Sequence, residues 1–221
     1  VHDMGVDAAL IDIYKQLIAE KKFPFRVYAA IDGLNKTWAK YQHLGPEIGG
    51  NGGRLTVRAL KLYADGALGS RGAALLEPYS DDPKNNGLLL TPRDSLAQAT
   101  TLALQKGFQV CTHAIGDGAN REVLNVYEDA FKNNSANRDA RFRIEHAQVV
   151  NDADIPRFAK LGVLPMMQQT HCTSDMYWAE DRLGPKRVQG AYAWRSFIST
   201  GSIIPAGSDS PVESPNPLWG F

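Results

Sequence analysis

The chain has 221 residues, 24 basic against 24 acidic side chains, a mean hydropathy of −0.30 and two cysteines. Balanced charge gives no field that favours nucleic acid or an anionic membrane, and the lack of any long apolar run excludes a transmembrane helix. Cys111 and Cys172 are too few for a disulfide framework, so one core-forming domain over 1–221 in a reducing, cytoplasmic setting is expected. The opening Val1-His2-Asp3-Met4, with neither initiator methionine nor signal-peptide pattern, predicts a processed or truncated piece.

Residues 1–3 read as the tail of a strand leading to Gly5. Val6, Leu10, Ile13 and Leu17 mark an amphipathic helix that ends near Lys22. Residues 25–31 read as a buried strand, 33–44 as a helix, and the glycine-rich 45–53 as a flexible loop. In 59–65, Leu60, Leu62 and Ala64 alternate with Lys61, Tyr63 and Asp65, the pattern of a strand. The long irregular segment 66–90 has the length of a functional or disordered loop. Thr91 as N-cap and Pro92 at the first helical position open a helix that Gly107 closes.

The stretch 108–120, FQVCTHAIGDGAN, organises the rest. Phe108, Val110 and Thr112 alternate with Gln109, Cys111 and His113, so a strand ends in a polar face whose last member is a histidine. Gly116-Asp117-Gly118 then turns into a helix carrying Val123, Tyr127, Ala130 and Phe131, with Asp117 as its N-cap. Residues 142–147 and 163–169 are further strands, separated by a short helix over 151–160. A second loop carries His171, Tyr177 and Trp178, a helix runs from about Pro185 to Gly201, and 203–209 is the last strand. Strands separated by helices require parallel pairing. The fold expected is α/β, a TIM-like (β/α)8 barrel, incomplete, with about seven strands present where closure takes eight.

In such a barrel all strand ends meet at one face, so Lys61, His113, His146 and Asp209 converge there. Two imidazoles, a carboxylate and one further anion suit zinc or a similar divalent metal. A lysine serves as the further anion once its neutral amine has taken up carbon dioxide as a carbamate. One discord stands: strict alternation puts His146 on the face of Phe142 and Ile144, so either the strand bulges there or His146 lies in the following loop.

The motifs KLYADGALGSRGAALLEPYSDD from Lys61, THAIGDGAN from Thr112, RIEHAQ from Arg143 and GSDSPVE from Gly207 resemble the amidohydrolase superfamily. The nearest likeness is to amidohydrolase family 3, the group that contains N-substituted formamide deformylases, and it extends over nearly the whole chain. The resemblance implies a barrel with metal at the strand ends. It makes Lys61 a carboxylated lysine bridging one or two ions, and His113 and His146 the histidines of the fifth and sixth strands. Asp209 becomes the eighth-strand aspartate that binds metal and handles the proton. It also implies that the first-strand His-X-His pair and the small β-sandwich of the family are missing.

Three further residues are candidate substrate contacts: Arg71, His171 and Asp65. Arg71 reaches the site or else braces its own loop, and Asp65, on Lys61's face, can orient a ligand. Tyr177 and Trp178 cap an apolar pocket or pack their loop. His43 reads as a surface residue, and His2 lies beside the barrel mouth without a second motif member. The leading function is metal-dependent hydrolysis of an amide or related C–N bond, not peptide-chain cleavage, with Asp209 passing a proton to the leaving amine. The alternatives are a Schiff-base lyase or aldolase using Lys61, or an inactive fragment. The expected partner is a small-molecule amide, with neither nucleic acid nor membrane and with a homodimer as the expected assembly.

Overall fold

The computed structural model describes residues 1–134 and 139–220. Strand β1 (His2–Val6) leads to helix α1 (Ala8–Ala19), then β2 (Val27–Asp32) and α2 (Lys36–Leu44). Next come β3 (Glu47–Gly49), α3 (Gly50–Gly53), β4 (Leu55–Tyr63) and α4 (Arg93–Gln105). The order continues with β5 (Gln109–Ala114), α5 (Asp117–Asn133), β6 (Arg143–His146), α6 (Ile155–Leu161) and β7 (Leu164–Met166). Three short helices, α7 (Gln169–Asp175), α8 (Ala179–Arg187) and α9 (Trp194–Ser199), follow.

All strands except β3 run parallel, in the order β1-β2-β4-β5-β6-β7, and β3 pairs antiparallel with the start of β4. Helices follow the parallel strands and pack against the sheet, and the result is an α/β, incomplete TIM-like (β/α)8 barrel. The main core lies between sheet and helices: Leu60, Leu62, Val110, Phe142 and Ile144 meet Leu104, Val123, Tyr127 and Phe158. Trp38 of α2 packs edge-on to Phe108, with ring centroids 5.1 Å apart.

Several local expectations change. Helix α1, capped by Asp7 accepting from the Leu10 N–H, buries Ile11 and Ile18 and leaves Ile13 half exposed. Residues 47–53 are not a featureless loop: Glu47 pairs with Val57 and its carboxylate meets Lys15. Thr91 does not cap α4; its hydroxyl donates to the Tyr63 carbonyl, and Pro92 takes the cap position. Gly116, not Asp117, caps α5, because the Asp117 carboxylate accepts from the Leu76 and Gly118 N–H groups. The helix expected over 185–201 is broken into α8, a 3-10 turn at Val188–Gly190, and α9. The strand expected over 203–209 is reduced to one parallel bridge between Met167 and Ala206.

Candidate active site

Strands β4 and β5 keep one register along their length, with Lys61 opposite Cys111 and Tyr63 opposite His113. This rigid pair sets Lys61 and His113 at the C-terminal end of the sheet, where barrel active sites form. Lys61 is buried, and its ammonium lies 5.1 Å from the Tyr63 ring centre. Desolvation lowers its pKa, against the pull of Glu145, Cys111 and Asp209. The neutral amine is therefore easier to reach here than on a surface lysine.

His146 joins them by a backbone device. It is the last residue of β6, opposite Ala114, and its φ of 75° is followed by 41° at Ala147. Two consecutive left-handed residues turn the side chain away from the Phe142 and Ile144 face that alternation assigned to it. Its ring meets His113 edge-on with centroids 4.6 Å apart. On its other side it stacks with His171 of α7 at 5.9 Å and an interplanar angle of 11°. His146 Nδ1 is 2.9 Å from Gln168 Oε1.

Both metal-motif histidines are held neutral. Burial, with Lys61 adding, lowers the His113 pKa to about 4, against a hydrogen bond to the Gly66 backbone. Burial and then the charges of His113, Lys61 and His171 take His146 well below its ordinary value. Among the described residues the Nε2 atoms of His113 and His171 are buried without a hydrogen-bond partner. His113 Nε2 lies 3.5 Å from Asp65 Oδ1, too long for a bond. Neutral imidazoles with bare nitrogens beside a desolvated lysine are the chemistry of a cation site, since metal ligands must be deprotonated. Among the described residues no three His, Cys, Asp or Glu side chains form a ligand set.

The remaining candidates occupy varied places. The Asp65 carboxylate accepts from the backbone N–H groups of Ala74, Ile115 and Gly116, at 2.9, 2.9 and 2.8 Å. It clamps the 66–90 loop onto the β5–α5 turn and leaves little capacity for a substrate. Arg71 is bidentate to Asp81, which also binds Arg182, so it braces its own loop. Asp209 has a φ of 54° and no ion pair among the described residues; His171 and Lys61 act on its charge only from a distance. His171 lines a narrow cleft with His146, Gln148, Met167, Gln168 and Tyr192. Tyr177 is exposed, whereas Trp178 lies against Gly69 and Arg182. His2 is not at the mouth: it sits at the start of β1, 2.9 Å from Arg143, at the opposite end of the strands. His43 is exposed at the end of α2.

Reasoning from the sequence missed Gln168, and it missed the group formed by Gln148, Asp175 and Tyr192. Gln148 donates to Asp175 and to the Tyr192 hydroxyl, and that hydroxyl donates to Asp175. Gln148 stands in the RIEHAQ motif, two residues from His146, which is the one signal that pointed there.

A sequence profile described as the amidohydrolase family matches residues 2–221. YtcJ of Bacillus subtilis, a candidate amidohydrolase, is 36% identical over 94% of this chain and 38% of its own length. The protein LONG AFTER FAR-RED 3 of Arabidopsis thaliana is 38% identical over 74% of this chain and 28% of its own. An uncharacterized metal-dependent hydrolase from Pyrococcus furiosus superposes with a TM-score of 0.85 and 30% identity, over 99% of this chain and 44% of that one. The chain thus spans less than half the length of each of these relatives.

Proposed function

The chain belongs to amidohydrolase family 3, and on that premise we propose that it carries the lysine–histidine part of a metal-dependent hydrolase site. The reaction is hydrolysis of an amide or related C–N bond in a small molecule, other than peptide-chain cleavage. One observation carries the reading: His113 and His146 pack edge-on at adjacent strand ends, with His113 Nε2 buried and unpartnered beside the desolvated Lys61. Leaving that nitrogen without a bond costs about 1–3 kcal/mol, a cost that a bound cation would offset.

His113, His146 and Lys61 would hold zinc or a similar divalent ion, with Asp209 as a further ligand. When bound, that ion supplies positive charge that polarises a carbonyl and lowers the pKa of water. The Lys61 amine adds to carbon dioxide and loses a proton, giving a carbamate whose two oxygens carry the anionic charge the site requires. Asp209 accepts the proton of the attacking water and passes it to the leaving amine. Substrate enters beside His146 only if the narrow cleft there opens, which would bring it to His171 Nε2. Arg71 and Asp65 shape the loop above rather than touch the substrate. The reading carries with it no nucleic acid or membrane partner, a homodimer and a cytoplasmic setting. Among the described residues no helix is long and apolar enough to cross a membrane.

The lowered Lys61 pKa equally favours a Schiff-base lyase, and borohydride trapping distinguishes the two. The hydrolase reading predicts zinc-dependent release of amine from a panel of N-formyl and N-acyl amines, and no trapped lysine. It also predicts that His113→Ala with His146→Ala abolishes zinc binding. Tight zinc binding unchanged in that double variant contradicts it.

A further inference from the structure

We propose that Gln168 is a positioning residue that sets the tautomer of His146, keeping the proton on Nδ1 and the lone pair on Nε2. The argument follows donors and acceptors along one short chain of atoms. Gln168 Nε2 lies 3.2 Å from the carbonyl oxygen of Met166, which can only accept. The amide end at that contact is therefore NH2, and the other end is Oε1, which can also only accept. Oε1 is 2.9 Å from His146 Nδ1, so Nδ1 must carry the hydrogen. A neutral imidazole has one N–H, which leaves Nε2 bare.

The framework around Gln168 makes this orientation rigid. Met166 is the last residue of β7 and pairs in register with Glu145, the neighbour of His146. Gln168 is buried and stands at the N-cap position of α7 with extended backbone, φ −112° and ψ 111°. Both ends of its amide are thus tied to adjacent strands of the sheet. Free neutral histidine favours the other tautomer, with the proton on Nε2, so this contact has to reverse an intrinsic preference. The inference deepens the metal-site reading, because a ring with its proton on Nε2 has no lone pair to offer there. The tautomer itself is a property of the metal-free chain and is measured without metal.

Two-bond proton–nitrogen NMR of the metal-free protein, labelled with nitrogen-15 at histidine, tests it. The His146 signals are assigned by their absence from a His146→Asn variant. The wild-type ring should show a protonated Nδ1 and a bare Nε2. Gln168→Met, similar in volume but with no acceptor, should shift the ring towards the Nε2–H form. Gln168→Glu, which keeps an acceptor, should retain Nδ1–H. Zinc affinity, read by competition with a chromophoric chelator, should fall about 10–100-fold in Gln168→Met and recover in Gln168→Glu. A wild-type Nε2–H tautomer, or an unchanged Nδ1–H in Gln168→Met, overturns the proposal. If Gln168→Met does not fold, the wild-type spectrum and Gln168→Glu decide. Should the spectra behave as stated while no variant or wild type binds zinc, the metal reading falls and the role of Gln168 stands.

Discussion

The two flanks of the candidate site are built differently. On one side, β4, β5 and β6 pair in long register, and the 66–90 loop is fastened to them by buried bonds. Asp65 gathers three backbone N–H groups, and the Asn120 amide shares its two N–H donors among the carbonyls of Ala114, Ile115, Gly116 and Val149. On the other side, β7 has three residues, the next parallel contact is the single Met167–Ala206 bridge, and Asp209 is exposed. The first flank positions the imidazoles and Lys61 through strand geometry. The second positions His171 and Asp209 through turns and short helices. Precision at the site therefore rests on one flank, while the other is free to vary with what it binds.

Perturbing the first flank should cost the most. Asp65→Ala leaves three backbone N–H groups unpaired, and at about 1–3 kcal/mol each the loss is on the order of 3 kcal/mol or more. Denaturant unfolding should show it as a lower midpoint, and a change under about 1 kcal/mol would mean that the clamp is decorative. Next is pH. Burial first, then Lys61, takes His113 from 6.5 to about 4, so the unfolded chain binds this proton and the folded chain does not between those values. Stability is fully present above pH 6.5 and is lost as pH falls through 4, by about 3 kcal/mol in total. His113→Gln should flatten that slope, as followed by melting across pH.

Gly116→Ala gives a smaller effect. An added Cβ would clash with the Ala74 carbonyl although φ is an ordinary −74°, so the cost is steric and about 1–3 kcal/mol. The smallest response belongs to the second flank: Asp209→Asn should move stability by less than about 0.5 kcal/mol while removing turnover. A large loss of stability in that variant would erase the distinction between the flanks.

The same contrast explains what the sequence made legible. Lys61 and His113 follow from alternation because β4 from Ala59 onward and β5 pair without a break and have a strand on either side. His146 defeated alternation because its positive φ breaks the assumption on which alternation rests. The Ile203–Ile204 run reads as a strand, yet Ile203 is exposed and only Ala206 pairs, since among the described residues no further strand lies beside it. Gln168 carries no spacing signal at all, because its role depends on a carbonyl two residues away and on a histidine in another strand. His2 was misplaced because adjacency in sequence to a strand does not say which end it occupies, whereas pairing with Tyr28 does.

The central claim is that Lys61, His113 and His146 form one cation site on the regular flank. Anomalous diffraction from crystals grown with zinc and bicarbonate, recorded on both sides of the zinc edge, tests it most directly. The account predicts a peak within bonding distance of His113, of His146 Nε2 and of extra density on Lys61 Nζ. A fully occupied zinc elsewhere, with these three side chains unliganded and Lys61 a plain amine, would contradict it.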